Sequence, residues 1–265
     1  MHSQESLSQM SEIAREAGKI LLEYKNRPLE KFHKGTQGDF ATAADLAAQT
    51  YIVSEIQERF PDDGIIAEEE NCSIPSRSGY TWVIDPIDGT RNYASGSEHF
   101  GVMIGRVNEK EITESVVYFP SDDVLFSAAR HEGALRNGER VTPSFPASIQ
   151  KVRACLAHTD PAAHTTPAMD ALRSMLAATG FEPCSLFSSA ANMRSILEGN
   201  HDTFVIPSNC AWDNCAPALL FEEAGFTVSD WKKGKIHPLF GTQHFLAAPP
   251  TVYDAIQKTL AAFYN

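Results

Sequence analysis

Apolar residues recur at helical spacing near the start of the chain. Met10, Ile13, Ala14, Ala17, Ile20, Leu21 and Tyr24 fall on one face, which predicts an amphipathic helix. A polar, glycine-containing loop over 34–39 follows. Thr42-Ala43-Ala44-Asp45 then matches a capping box, and Ala44, Ala48, Ile52, Ile56 and Phe60 give a second helix its apolar face. Pro61-Asp62-Asp63-Gly64 ends that helix. Ile65-Ile66-Ala67 reads as a short strand running into Glu68-Glu69-Glu70, and Trp82-Val83-Ile84 as a buried strand running into Asp85-Pro86-Ile87-Asp88-Gly89-Thr90. Strand-like runs follow at 100–107, 112–118 and 124–129, and Asn137-Gly138 within 134–141 signals a hairpin turn.

A Pro- and Ser-containing stretch, 142–148, marks a boundary between an N-terminal α+β half, 1–146, and a C-terminal α/β half, 147–265. Beyond it the patterns alternate: strand 152–158, helices 167–179 and 189–198, strand 203–206, helix 214–224, strands 226–229 and 244–248, and helix 251–263. Gly225 is placed to end one helix and Pro250 to begin the last.

With 265 residues, 43% hydrophobic and 21% charged, the chain has the composition of a globular protein with a sizeable core. Its net charge of −12 argues against a nucleic-acid polymer or an anionic membrane as partner. Such a protein can still bind phosphates if metal ions invert the local sign of the site. No apolar run reaches membrane-spanning length, and the N-terminus lacks signal-peptide character, so the expected location is cytoplasmic. Five scattered cysteines without a C-x-x-C pair suit reduced thiols better than a disulfide framework or a zinc site.

Chemistry concentrates in the turn 85–90. Pro86 fixes one backbone angle and Gly89 permits an unusual one, so a stiff turn at a strand end presents two carboxylates and a hydroxyl. That arrangement invites a hard divalent cation with oxygen ligands. Asp45, Glu68, Glu69 and Asp213 also stand where a strand ends or a helix begins. Each has a structural alternative: Asp45 and Asp213 as helix caps, the glutamates as a solvated charge run. If the acids converge, they repel one another unless cations lie between them. Two other motifs fail on spacing. Haloacid dehalogenases need aspartates at i and i+2, and an EF-hand starting at Asp85 would place Ile87, Gly89 and Gly96 at ligand positions.

Asp39-Phe40-Ala41-Thr42-Ala43-Ala44-Asp45, Ala67-Glu68-Glu69, Trp82 through Tyr93 and Trp212-Asp213 together resemble the signatures of the inositol monophosphatase family. Glu132 through Gly138 and Glu222 through Gly225 extend the likeness over nearly the whole chain. The resemblance implies a layered αβαβα sugar-phosphatase fold and a magnesium-dependent, lithium-sensitive phosphomonoesterase. It implies that Glu68, Asp85 and the Ile87 carbonyl hold one Mg²⁺, that Asp85, Asp88 and Asp213 hold a second, and that a third, weaker ion sits near Glu68. Asp45 and Thr90 resemble the pair that polarises the attacking water, with Glu68 close by, and the N–H groups of Gly89 and Thr90 would cradle the phosphate. Homodimers are common in the family.

The implied substrate is a small phosphorylated molecule, with inositol 1-phosphate leading. Ile206, however, stands where inositol-specific members carry an acidic residue. Cys215-Ala216-Pro217 is closer to relatives that remove the 3′-phosphate of adenosine bisphosphate, whereas Thr90-Arg91-Asn92-Tyr93 looks like the inositol branch. Phe187 through Asn192, expected on the sugar side, offers hydroxyls but no distinctive specificity group. Bisphosphate nucleotidase, fructose-1,6-bisphosphatase and histidinol-phosphate phosphatase activities are the alternatives. A non-catalytic metal-binding relative is a different class, and retention of Asp45, Glu68, Asp85, Asp88, Thr90 and Asp213 speaks against it.

Overall fold

The computed structural model describes residues 2–34, 39–157, 167–236, 239 and 243–264. Positions 35–38 of the polar loop and position 158 of the first C-terminal strand lie outside the described residues. The first helix, α1 (His2–Lys25), buries Met10, Ile13, Ala14, Ala17 and Leu21. A short hairpin, β1 (Lys31–His33) and β2 (Phe40–Thr42), leads into α2 (Ala43–Arg59), which buries Ala44, Ala48, Ile52 and Ile56. Both helices lie on one face of an eight-stranded sheet and share a core with Trp82, Ile84 and Val102. Each fully buried apolar side chain of that kind contributes about 1.5–3 kcal/mol.

That sheet is built from β3 (Gly64–Ala67), β4 (Ser73–Ile74), β5 (Thr81–Asp88), β6 (Gly101–Val107), β7 (Ile112–Phe119), β8 (Val124–Ala129), β9 (Gly133–Arg136) and β10 (Glu139–Arg140). Its order is β10-β9-β8-β7-β6-β5-β3-β4. Only the β3–β5 pair is parallel; the other pairs are antiparallel. A one-turn helix, α3 (Thr90–Ala94), follows β5. Asn137 and Gly138 have φ of 48° and 84°, the double positive φ of the hairpin turn their sequence predicts.

The second sheet has the order β12-β11-β13-β15-β14, from β11 (Val152–Leu156), β12 (Phe181–Cys184), β13 (Thr203–Asn209), β14 (Thr227–Ser229) and β15 (Gln243–Ala248). Between the sheets run α5 (Ser189–Leu197) and α6 (Ala211–Glu223), in a core that includes Phe204, Phe221 and Phe245. Outside the second sheet, α4 (Pro167–Ala178) and α7 (Tyr253–Tyr264) close a third core around Leu172, Trp231 and Ile256. The layers are therefore α, β, α, β, α. Close approach of α6 to the first sheet depends on Gly105, where a Cβ would stand 2.4 Å from Cys215 Sγ.

Two helix starts differ from expectation, and the helix end expected at Gly225 is found there. α6 begins at Ala211 rather than at 214, because Cys210 and Asp213 form a capping box. Gly225, at φ 91°, stands just past the end of α6. Pro250 lies in a turn before α7, where the Pro249 carbonyl accepts from Val252 and Tyr253, and the helix starts at Tyr253.

Candidate active site

Asp85 and Asp88 stand three residues apart on β5, a spacing that in a regular strand sends side chains to opposite faces. The pairing with β6 slips between them: Asp85 pairs with Met103 and Asp88 with Gly101, so three steps on β5 match two on β6. This bulge returns Asp88 to the face that Asp85 occupies. It is the inner face, shared with Val83 and Met103 and covered by α6. Asp213 descends onto the same place from the first turn of α6. Carboxylate oxygens of Asp85, Asp88 and Asp213 lie within 4.8 Å of one another, all three buried.

Hydrogen bonds hold Asp88 through both of its oxygens and Asp213 through one. Asp88 accepts from the Ser188 hydroxyl, from Ser189 N–H at 3.0 Å and from Ala190 N–H at 2.8 Å, at the start of α5. Asp213 Oδ2 accepts from Cys210 N–H at 3.2 Å. Asp85 Oδ1 is buried with no hydrogen-bond partner. Burial pushes the Asp85 carboxyl well above the ordinary carboxylate range, and Glu68, Asp88 and Asp213 add repulsion. Burial likewise raises Asp213, helped by Asp88 and Glu68. Asp88 is pushed up to about 6 by burial, against the bonds from Ser188, Ala190 and Ser189. A buried group of hard oxygen donors, mutually repelling and one of them orphaned, fits a Mg²⁺ site.

Asp45 is buried at the third position of α2. Its Oδ2 accepts from Thr42 N–H at 2.7 Å and Thr42 Oγ1 at 2.5 Å, closing the capping box. Its other oxygen, Oδ1, accepts from Thr90 Oγ1 at 3.1 Å, and that hydroxyl also lies 3.0 Å from the Ile87 carbonyl. Burial raises the Asp45 carboxyl to about 6, against the bonds from Thr42. Gly89 takes φ 86°, ψ 37° just before α3. A Cβ there would meet the His99 carbonyl at 2.8 Å and Ser188 Cβ at 3.0 Å, so only glycine fits this turn.

Glu68 and Glu69 follow β3. Gln49 pins the Glu69 backbone, donating to Glu69 O and accepting from Glu69 N–H, both at 2.8 Å. Lys34 Nζ bonds Glu68 Oε1 at 2.8 Å and Glu69 Oε1 at 2.6 Å. Burial alone would lower the Lys34 ammonium, but the two glutamates outweigh it and raise it. A cleft of ≈ 640 Å³ opens beside this pair and reaches Asp39 and Trp212. Ile206 is packed in the core between the sheets. The sequence placed Ser188 only within a segment expected on the sugar side, and gave Gln49 and Lys34 no role at the site. A serine just ahead of a helical pattern is the signal that could have marked Ser188.

A sequence profile of the inositol monophosphatase family matches residues 3–263. The chain is 32% identical to Nus factor SuhB of Haemophilus influenzae, over 95% of this chain and 96% of that one. It is 29% identical to the fructose-1,6-bisphosphatase/inositol-1-monophosphatase of Thermotoga maritima, over 94% of this chain and 93% of that one. A solved Thermotoga maritima IMPase superposes with a TM-score of 0.85 at 26% identity, covering 98% of each chain. The suhB protein of Bartonella henselae has the same fold, with a TM-score of 0.86 at 24% identity and coverage of 97% and 98%.

Proposed function

This chain belongs to the inositol monophosphatase family, and from that premise we propose that it is a Mg²⁺-dependent phosphomonoesterase whose leading substrate is inositol 1-phosphate. One observation carries the reading: three buried carboxylates from β5 and α6 converge within 4.8 Å, with Asp85 Oδ1 left unpartnered. In this reading Glu68, Asp85 and the Ile87 carbonyl hold one Mg²⁺, Asp85, Asp88 and Asp213 a second, and the surroundings of Glu68 a weaker third. When bound, the ions neutralise the phosphoryl oxygens, acidify the attacking water and stabilise the leaving alkoxide.

The chain's own groups do the positioning. Thr90 Oγ1 donates to Asp45 Oδ1 and so presents a lone pair to the attacking water, while Asp45 is held by its other oxygen on Thr42. Glu68 stands close by. The N–H groups of Gly89 and Thr90 face the phosphate, on a turn that tolerates no side chain at Gly89. Ser188 and the first N–H groups of α5 keep Asp88 aimed at the cluster. Water attacks phosphorus, the ester P–O bond breaks, and the alkoxide leaves with a proton from solvent.

Ile206, buried in the core, offers no hydrogen bond to a polyol, which supports a tolerant sugar side. A 3′(2′),5′-bisphosphate nucleotidase activity is the second reading, favoured by Cys215-Ala216-Pro217. Pro217 has no N–H for the Asp213 carbonyl, so that carbonyl lacks the usual helical partner. Fructose 1,6-bisphosphate is the third, by likeness to the Thermotoga maritima relative. Inhibition by millimolar lithium, a homodimer and a cytoplasmic location complete the proposal, as does division into halves at 146/147. No helix among the described residues is long and apolar enough to cross a membrane.

The test is phosphate release from inositol 1-phosphate, fructose 1,6-bisphosphate and 3′-phosphoadenosine 5′-phosphate, with and without Mg²⁺. Mg²⁺-dependent release, fastest from inositol 1-phosphate, is expected. No release from a broad panel of phosphomonoesters would instead favour the non-catalytic, metal-binding reading.

A further inference from the structure

Far along the chain from the carboxylates, two cysteines that sequence spacing keeps apart become neighbours. β11 and β12 pair in parallel with Cys155 opposite Cys184. Their Sγ atoms lie 3.4 Å apart. The turn between α5 and β13 brings His201 to the same place, and the two sulfurs and one imidazole nitrogen all fall within 4.8 Å of one another. The ring is already oriented: its Nδ1 stands 2.6 Å from Ser195 Oγ. The turn is fastened to β11 by Arg153, whose guanidinium bonds Asp202 and the Gly199 carbonyl. Cys155 is buried, whereas Cys184 and His201 are half-buried, so the group is anchored at its back and reachable from its front.

We propose that Cys155, Cys184 and His201 form a second metal site, for a thiophilic d¹⁰ cation and Zn²⁺ above all, separate from the carboxylate cluster. Two thiolates at about 2.3 Å from one tetrahedral Zn²⁺ stand about 3.8 Å apart, a small opening from the present separation. A disulfide would need closure to about 2.05 Å. Two sulfurs and an imidazole select zinc or copper(I) and reject Mg²⁺. Three protein ligands leave a fourth position for water or an external donor. The Ser195 hydroxyl on the ring is the kind of outer contact that fixes a ligand histidine. Loaded, the site ties the edge strand β12 to the α5–β13 turn.

Cobalt(II) tests this without any activity assay. Titrated into the full-length reduced protein, Co²⁺ is expected to give a thiolate-to-cobalt charge-transfer band with the visible bands of a tetrahedral ion, saturating at one such site per chain. Asp85, Asp88 and Asp213 bring no sulfur of their own, and the band should survive both Asp213→Asn and Cys210→Ser, the latter removing the thiol beside Asp213. Cys184→Ser, at a half-buried position, should abolish it while the protein still melts cooperatively. Ser195→Ala should weaken Zn²⁺ binding about 10–100-fold in competition with a chromophoric chelator. Absence of the band at saturating Co²⁺ would overturn the proposal. So would a band that survives Cys184→Ser, or a Cys155–Cys184 disulfide in protein kept under reductant.

Discussion

A methyl group added at Gly105 should separate the two halves of the active site. Gly105 lies on β6 beneath α6, and its added Cβ would stand 2.4 Å from Cys215 Sγ, 3.3 Å from Cys215 Cβ and 3.5 Å from Ala216 N. Non-bonded heavy atoms settle near 3.5–4.0 Å, so helix or thiol must retreat by roughly 1 Å. Overpacking of this size costs about 1–3 kcal/mol, partly offset by the lower entropy of the unfolded Ala chain. The consequence for chemistry is larger. α6 carries Asp213 towards Asp85 and Asp88, and a displacement of roughly 1 Å is worth on the order of a hundredfold in rate. Cys215→Ala removes the offending sulfur, leaving a Cβ contact of 3.3 Å that small shifts absorb. Gly105→Ala/Cys215→Ala should therefore recover about 1–2 kcal/mol relative to additivity and most of the activity. Urea unfolding and Mg²⁺-dependent phosphate release on the four proteins of the cycle measure both effects. If Gly105→Ala matches the parent in both assays, or the double variant recovers neither, the role of this helix–sheet contact is refuted.

Asp213→Asn should fold, gain up to about 1 kcal/mol of metal-free stability by losing repulsion from Asp88 and Glu68, and lose at least about a hundredfold in turnover; thermal melts in chelator and single-substrate kinetics check it. Thr90→Val, which removes the hydroxyl bonded to Asp45, should lower kcat by about 10²–10⁴, whereas Thr90→Ser retains most of it. Lys34→Met leaves Glu68 and the buried Glu69 without their cation and should cost about 1–3 kcal/mol, with Glu69→Gln in the same chain restoring part of it. The folded pKa of Asp88, about 6, lies above the ordinary carboxylate value, so the folded state holds that proton more tightly than the unfolded chain. Its contribution is complete below the ordinary range and lost as pH rises through about 6. Melts in chelator should therefore show stability falling over that interval, and saturating Mg²⁺ should flatten the slope.

Elements long enough to show a full period were legible from sequence: α1, α2, the β6–β8 meander and the Asn137-Gly138 hairpin. Of the short ones, β3 and β14 were marked and several others were not. β12, Phe181-Glu182-Pro183-Cys184, carries a proline that argues against a strand, and the sheet accepts it because β12 is an edge. β1, β2, β4 and α3 have too few residues for any periodicity to register. The acids of the candidate site could be marked because each stands at an element end, but their meeting was implied by the family resemblance alone and not by spacing. It depends on the bulge between Asp85 and Asp88 and on how far α6 descends, both properties of pairing and packing. Contacts of Ser188 with Asp88, and of Lys34 with Glu68 and Glu69, join residues remote in sequence. The neighbourhood of Cys155 and Cys184 exists only in the register of two parallel strands. The thiols are free, as expected of them, but no spacing rule encodes that two of them lie side by side.

Capping a helix does not exclude Asp45 or Asp213 from the candidate site. Each acid spends one oxygen on its own helix: Asp45 Oδ2 on Thr42, Asp213 Oδ2 on Cys210. The backbone bond restrains each side chain; Asp45 Oδ1 then accepts from Thr90, and Asp213 keeps a carboxylate oxygen within 4.8 Å of Asp85 and Asp88. Asp88 is held more fully, through both oxygens, by the start of a helix to which it does not belong. A carboxylate anchored this way resists the repulsion of its neighbours without a counter-charge of its own. Asp88 and Asp213 are both anchored to helix starts, while Asp85 Oδ1 between them is left unpartnered. Removing a cap partner should thus cost more in catalysis than in stability, since the helix can cap with water but the free oxygen cannot re-aim itself.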